Sequence, residues 1–298
     1  MDAPPSLDVV IVAYRSRDLL RTCLRSVFDH PPARSLAAFV VDNASGDGTP
    51  AMVRGEFPSV ELLVNSRNRG FSAANNVAIK AGDGDYVLAL NPDTELTAGA
   101  LERLCALMDA KPEVGICGPA LVQADGQPDH AARRSFPTPT SALGHFSGIG
   151  RRRQSGALAA YRAPEVESGP VDAVNGAFML IRRAALERVG LFDEGYWMYM
   201  EDLDLCYRFA EAGWTTWYEP SVTVGHLKAG SSGKHRSLRL NYAFHRGMAR
   251  FYRAHYAARN NPLLNLAVYA GIALKLAVSA LRSAGARTLA RVTSAPGS

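Results

Sequence analysis

The chain has 298 residues, 47% apolar and 20% charged, the balance of a globular protein long enough to bury a sizeable core in one large domain or one and a half. Its four cysteines, Cys23, Cys105, Cys117 and Cys206, lie scattered in apolar segments, which excludes a metal-type cysteine cage and points to buried reduced thiols in a cytosolic compartment. The net charge of +5 hides an asymmetry: residues 227–298 carry twelve Lys/Arg and no Asp/Glu, leaving residues 1–226 with 21 basic and 28 acidic residues, a net of −7. A basic tail on an acidic body points to a polyanionic partner, either nucleic acid or an anionic membrane surface.

The opening MDAPPSLDVVIVAY lacks a basic n-region and a long apolar core, so no signal peptide is expected. LDVVIVAY, residues 7–14, reads as a buried strand, and 18–28 as a helix with apolar 19, 20, 23, 24, 27 and 28 on one face. AAFVVDNAS, 37–45, is a second strand, 46–56 a loop and short helix, and VELLVN, 60–65, a third strand. RNRGFSAANNVAIKAG is a polar glycine turn leading into a helix. YVLALNPD, 86–93, is a fourth strand ending in Asn91-Pro92-Asp93, followed by a helix over 97–108. Strand and helix alternating at this rhythm predict a parallel sheet covered on both faces. Ligands in such sheets bind beyond the carboxyl ends of the strands. Tyr14, Asp42-Asn43, Asn65 through Gly70, and Asn91 through Asp93 should therefore converge on one cleft.

The middle is less regular. Residues 114–127 read as a strand and a turn. Residues 128–170, rich in Pro, Gly, Ser and Arg and including Arg151-Arg152-Arg153, read as a long excursion over the cleft, a substrate lid. VDAVNGAFMLIRR, 171–183, is an apolar strand containing Asn175-Gly176, then a short helix. WTTWYEP and VTVGH read as two short strands ending at His226. Beyond Gly225 the character changes. Residues 234–258 alternate basic and aromatic side chains, and 262–281 form an apolar run of twenty residues interrupted by Asn265, Lys275 and Ser279. Twenty residues just span about 30 Å of hydrocarbon. Lys275, Ser279 and Arg282 share a helical face, however, and Lys275 would be costly near mid-bilayer, so a helix lying along the membrane interface is the expected arrangement.

The chain is organised around WMYMEDLDLCYRFAEAGW, 197–214. Three carboxylates, Glu201, Asp202 and Asp204, sit in an aromatic and apolar setting, and from Leu203 onward apolar positions 203, 206, 207, 210 and 214 recur at helical spacing. Glu201, Asp204, Arg208 and Glu211 fall on the other side. Glu201 and Asp202 thus open a helix, in the mouth of an aromatic pocket built by Tyr196, Trp197 and Tyr199. A helix N-terminus favours carboxylates on its own account. The rings before the pair add a second reading, because sugar C–H faces stack on aromatic rings while carboxylates take hydroxyls and can remove a proton from one.

VDNASGDGT, NRGFSAANN, LNPDTEL, VNGAFMLIRR and MYMEDLDLCYRFAEAGW, in this order, resemble the family-2 inverting glycosyltransferases with a GT-A fold, and within them the bacterial rhamnosyltransferase-like branch that builds cell-surface polysaccharides. The resemblance covers residues 7–226. It implies an α/β fold of the nucleotide-diphospho-sugar transferase type: a mostly parallel sheet flanked by helices, with a C-terminal helical membrane-associating tail. Residues 1–226 would form the catalytic domain (1–110 the nucleotide-sugar-binding half, 111–226 the acceptor and catalytic half) and 227–298 the tail. By resemblance Asp42 accepts the imino N–H of uracil or thymine, Ala13 and Tyr14 line the same nucleoside pocket, Asn68 and Gly70 touch the nucleotide, and Arg69 meets a phosphate or base. Asn91-Pro92-Asp93 occupies the place of the family's Asp-x-Asp metal motif, with Asn91 on the donor side replacing the first Asp and removing one charge. Asp93 would then be the principal ligand of a divalent Mg or Mn, with His226 a further one; oxygen donors suit either ion and the imidazole favours Mn. The metal's role would be to neutralise the leaving nucleoside diphosphate.

Glu201-Asp202 matches the family's Glu-Asp pair. Asp202 is the candidate general base. Glu201 would hold an acceptor hydroxyl or exchange roles with Asp202, since sequence does not separate neighbours, and Trp197 would line the acceptor site. The resemblance implies transfer of a sugar, rhamnose from dTDP-rhamnose first, to a lipid-linked or cell-wall polysaccharide acceptor. Galactofuranose, GlcNAc or another hexose from a UDP donor are alternatives. The enzyme would be peripheral on the cytoplasmic face of the cell membrane. Two other classes compete. A nucleotidyltransferase needs a Gly- and Lys/Arg-rich loop after the first strand, and AYRSRD is a poor version of it. A nucleic-acid-binding protein could use the tail, but the acidic body would repel phosphates, so no nucleic acid partner is expected.

Overall fold

The computed structural model describes residues 4–138, 167–227 and 237–293, with side chains of the last helix described through Leu281. Arg151-Arg152-Arg153 and most of the expected lid lie outside the described residues. The chain divides into two compact units. The first comprises 4–136, 167–197 and 201–227; the second comprises 137–138, 198–200 and 237–293.

Strands β1 (Leu7–Ala13), β2 (Leu36–Asp42), β3 (Glu61–Val64) and β4 (Tyr86–Leu90) pair in parallel in the order β3-β2-β1-β4, with α1 (Arg17–Asp29), α2 (Thr49–Glu56) and α3 (Phe71–Ala81) between them. Every residue of β1 and β4 is buried, as expected for strands covered on both faces. Asp8 is the polar exception within β1. Its carboxylate accepts from the Gly84 N–H (2.8 Å) and the Arg183 guanidinium (2.7 Å), which offsets the cost of burial.

The second half of this sheet is not parallel. After β5 (Thr94–Leu96), α4 (Ala100–Ala110) and β6 (Val114–Val122), two short strands, β7 (Arg133–Arg134) and β9 (Ala173–Val174), pair with each other, and β8 (Gly169–Val171) lies against the last strand. β10 (Phe178–Arg182) runs antiparallel to both β4 and β6. The expected strand over 171–183 is therefore broken at Asn175-Gly176, where the Asn175 carboxamide turns back to accept from the Ala177 N–H (2.9 Å). The two strands expected after Trp214 are one, β11 (Thr215–His226), with a register shift between Glu219 and Thr223 that absorbs Pro220. β11 lies parallel to β6 and antiparallel to β5, so Thr94 stands opposite His226. The result is a mixed nine-stranded sheet among the described residues, flanked by helices that include α5 (Arg183–Val189) and α6 (Glu201–Glu211).

In the second unit α7 (Leu238–His255), capped by Ser237, and α8 (Pro262–Thr293) form an antiparallel hairpin with its own small core of Tyr252, Val268 and Ile272. Polar clasps fix it: the Tyr252 hydroxyl donates to Asn265 Oδ1 (2.7 Å) and the Asn241 carboxamide to Ser279 Oγ (2.7 Å). The basic-aromatic stretch and the apolar run, read separately in the sequence, are thus one structural piece. Ser279 faces α7 rather than water, a reversal of the expected polar face. Pro262–Leu281 is, among the described residues, the one segment long and apolar enough to cross a membrane.

Candidate active site

The carboxyl ends of β1 and β2 are joined by the Asn43 N–H, which donates to Ala13 O (2.8 Å). The Asn43 side chain then organises the turn before α3. Its Oδ1 accepts from the Arg69 N–H (2.9 Å) and the Asn65 carboxamide (3.1 Å), and its Nδ2 donates to Asn68 Oδ1 and Gly70 O (both 3.1 Å). Asn43, next to Asp42, therefore joins Ala13 to the Asn68–Gly70 turn. Asp42 is buried, with Oδ2 accepting from the Ser45 N–H (3.4 Å) and Oδ1 without a hydrogen-bond partner among the described residues. A buried carboxylate oxygen without a donor is costly, and a ligand N–H would satisfy it. Tyr14 is exposed with the Arg15 guanidinium over its ring (5.4 Å).

Gly70 has a structural reason of its own. At φ +86° it sits in the left-handed region, and a Cβ there would collide with the carbonyl oxygen and ring of Trp197. The Phe71 N–H donates to that carbonyl (2.8 Å), so the start of α3 and Trp197 are locked together. Farther along α3, Asn76 exchanges hydrogen bonds with the Phe192 backbone (2.8 and 3.1 Å) and reaches Glu194 Oε1 (3.1 Å), while Arg69 pairs with Glu194 Oε2 (3.7 Å). The glycine turn and α3 thus position the segment that leads into Glu201.

The three rings before Glu201 have different partners. Tyr196 is buried and its hydroxyl donates to Asp204 Oδ1 (3.2 Å), Trp197 lies on Gly70, and Tyr199, in the second unit, packs edge-on against Phe244 (5.9 Å). Asp204 is likewise no surface residue. It is buried and pairs with Arg208 (2.8 Å), whose guanidinium also caps the carbonyls of Val189, Gly190 and Leu191. The non-glycine residues in the left-handed region, among those described, are Arg15, Ala44, Tyr199 and Met200. Two follow β1 and β2, and two immediately precede Glu201.

Asp93 and His226 are brought together by the β5–β11 pairing, with His226 Nε2 3.6 Å from Asp93 Oδ1. Behind the ring, Nδ1 lies 3.4 Å from Asp129 Oδ2. A carboxylate on Nδ1 fixes the imidazole so that Nε2 presents its lone pair, the arrangement seen behind histidines that bind metals. One carboxylate and one imidazole fit a divalent cation that takes its other ligands from phosphate oxygens and water. No cluster of three or more His, Cys, Asp or Glu able to enclose a metal exists among the described residues. Asn91 closes the turn beside them, its carbonyl accepting from Thr94 Oγ1 (2.6 Å).

The Asn175–Ala177 turn connects this region to the carboxylate pair. The Asn91 N–H donates to Ala177 O (2.9 Å), and the Gly176 N–H donates to Asp202 Oδ2 (2.9 Å). Asp202 Oδ2 also pairs with the Arg134 guanidinium, and Oδ1 accepts from the Leu203 N–H (2.8 Å). Glu201 is buried beside it, and its Oε2 has no hydrogen-bond partner among the described residues. Burial, with the Asp202 charge next to it, pushes the Glu201 carboxyl up to about 8. The two adjacent carboxyl groups thus differ in surroundings: Asp202 is met by donors from Arg134, Gly176 and Leu203, while burial favours the protonated form of Glu201. Arg134 and Asp129 escape a reading of the sequence, because both lie in its irregular middle, where no period marks them.

The family model described as glycosyl transferase family 2 matches residues 8–190. A Mycobacterium tuberculosis protein named N-acetylglucosaminyl-diphospho-decaprenol L-rhamnosyltransferase is 34% identical over 241 residues, 76% of this chain and 78% of that protein. The rhamnosyltransferase WbbL of Escherichia coli K12 is 30% identical over 179 residues, 53% of this chain and 60% of its own. Among solved structures, GalNAc-T7 with UDP, GalNAc and Mn2+ superposes with a TM-score of 0.61 at 17% identity, covering 86% of this chain and 49% of that one. The mannosyltransferase PcManGT of Pyrobaculum calidifontis, in complex with GDP-Man and Mn2+, superposes with a TM-score of 0.57 at 20% identity, covering 100% and 79%. These superpositions establish the GT-A type of fold. The matched model spans more than half of the chain, from β1 through α5, and so the chain belongs to glycosyl transferase family 2 and is a glycosyltransferase.

Proposed function

We propose that this glycosyltransferase moves rhamnose from dTDP-rhamnose to a lipid-linked acceptor of the diphospho-polyprenol kind, with inversion at the anomeric carbon. The sugar and acceptor follow the names of its relatives. The observation that carries the chemistry is the Asn175–Ala177 turn, which ties the Asn91–Asp93 strand end to Asp202 through two 2.9 Å hydrogen bonds.

Asp42 reads the imide N–H of thymine or uracil with its unpartnered Oδ1, and Ala13 and Tyr14 line the nucleoside pocket. Asn68, Arg69, Gly70 and Asn91 take the rest of the donor. Asp93 and His226 would hold a divalent metal, Mg or Mn, whose charge would neutralise the leaving diphosphate. Asp202 removes the proton of the acceptor hydroxyl. An ionised carboxylate has about four lone-pair positions, and Arg134, Gly176 and Leu203 occupy three, leaving one for that hydroxyl. The acceptor oxygen attacks the anomeric carbon from the face opposite the diphosphate, whose C–O bond breaks with the electron pair leaving on the nucleoside diphosphate. Glu201, kept protonated by burial, donates a hydrogen bond to the acceptor. Trp197 supplies an apolar face beside it. The enzyme is attached peripherally to the cytoplasmic face of the cell membrane through 237–293.

Release of nucleoside diphosphate from dTDP-rhamnose, and from UDP-sugars in parallel, with a polyprenyl-diphospho-GlcNAc acceptor and Mn or EDTA tests this reading. Release from dTDP-rhamnose that needs both acceptor and metal is expected. Turnover of a UDP-hexose with none of dTDP-rhamnose overturns the donor assignment.

A further inference from the structure

The donors that meet Asp202 are shared unequally between its two oxygens. Among the described residues, Oδ2 accepts from the Arg134 guanidinium and from the Gly176 N–H (2.9 Å), whereas Oδ1 accepts from the Leu203 N–H (2.8 Å). Each oxygen of a carboxylate offers about two lone pairs, so Oδ2 is full and Oδ1 has one position open. The guanidinium is itself held. Arg134 stands on β7 opposite Ala173 of β9, its side chain is 12% exposed, and its Nη2 also donates to Val174 O (3.1 Å). Val174 is buried over Gly118 of β6, where a Cβ would come within 2.8 Å of its side chain, so the bare glycine makes room for it. Contacts therefore run from the sheet through Val174 to Arg134 and on to Asp202. Arg208, on the same helix as Asp202, pairs with Asp204 instead (2.8 Å).

We propose that Arg134 is a positioning residue for proton removal: by occupying Oδ2 it leaves Asp202 Oδ1 as the atom that takes the proton of the acceptor hydroxyl. The inference rests on Asp202 being the base, as proposed above, and names the atom that acts and the group that selects it. The proton passes from the acceptor oxygen to Oδ1. The electron pair of that O–H bond forms the new bond to the anomeric carbon, and the pair of the old C–O bond leaves on the nucleoside diphosphate. Asp202 ends neutral and Arg134 stays charged throughout. A guanidinium suits this task because its planar fork fixes the direction of its donors, which a flexible ammonium group does not.

The test is a cycle of single and double variants of the full chain, read as kcat and as KM for dTDP-rhamnose with a polyprenyl-diphospho-GlcNAc acceptor. Arg134→Ala should lower kcat about 100-fold, within the range that a general base contributes, with KM for the donor near wild type. In the Asp202→Asn background the same change should cost less than about threefold, because a group acting only through Asp202 has nothing left to act on. A residue that merely holds the fold together would lower kcat by the same factor in both backgrounds. Should Arg134→Ala fail to bind nucleoside diphosphate, Arg134→Lys carries the same comparison: it keeps the charge without the fork, so about tenfold should be lost beside Asp202 and less than about threefold in the Asp202→Asn background. Equal losses in the two backgrounds, or wild-type kcat in the Arg134 variant, overturn the inference and leave Asp202 as the base. Wild-type kcat in Asp202→Asn overturns the base assignment itself.

Discussion

Replacing Glu201 by Gln separates the two carboxyl groups experimentally. Its ordinary value of 4.5 is raised to about 8, first by burial and then by the Asp202 charge. The folded-state value lies above the unfolded one, so the stabilising contribution is complete below about pH 4.5 and is lost as pH rises toward 8. At 1.36 kcal/mol per unit, the loss is at most about 5 kcal/mol, with Arg134 and local relaxation reducing it. Glu201→Gln keeps the shape and the neutral donor and has no proton to lose. Its melting temperature should therefore exceed that of wild type at pH 9 and approach it at pH 5. Turnover follows the same logic. If the acceptor needs the protonated Glu201, wild-type kcat should fall about tenfold per pH unit above 8, whereas that of Glu201→Gln should stay flat and keep most of the activity at pH 7. Calorimetric melting and a kcat profile from pH 6 to 10 provide both readouts. An inactive Glu201→Gln alongside an active Asp202→Asn would show that Glu201 is the base and refute the assignment.

Asp202→Asn should lower kcat by about 10²–10⁴ with nucleotide affinity near wild type, measured by turnover and by titration of the nucleoside diphosphate. Asp93→Ala should abolish the gain in nucleoside diphosphate binding that Mn provides, and Asp129→Asn should weaken Mn binding about 10–100-fold by freeing the His226 ring, both read by calorimetry. Equal metal enhancement in Asp93→Ala and wild type would remove Asp93 from the metal site. Gly70→Ala should destabilise the fold by about 1–3 kcal/mol from the left-handed backbone alone, and by more from the collision with Trp197, as read by urea unfolding. A neutral Gly70→Ala would mean that α3 and Trp197 are not locked together.

The parts of this protein readable in the sequence are those that short-range periodicity encodes. Buried runs and 3.6-residue spacing mark β1 to β4 and α1 to α4, though not the short β5, and the rule that ligands bind past strand ends singles out Asp42, Asn68 and Asp93 as candidates. The antiparallel return of β10, the single β11 and the break at Asn175-Gly176 are invisible there, because strand direction is decided by pairing between distant segments. The same holds for the chemistry. Sequence presents Glu201 and Asp202 as neighbours of equal standing. Only the fold sets them apart, by delivering Arg134 from 68 residues away to one and leaving the other buried beside it. Asp129 reaches His226 across 97 residues by the same route. In the tail, composition alone reveals basic and apolar halves. Which face of α8 is spent on α7 and which is left apolar and exposed is settled by Tyr252, Asn265, Asn241 and Ser279, whose hydrogen bonds exist only once the two helices pack.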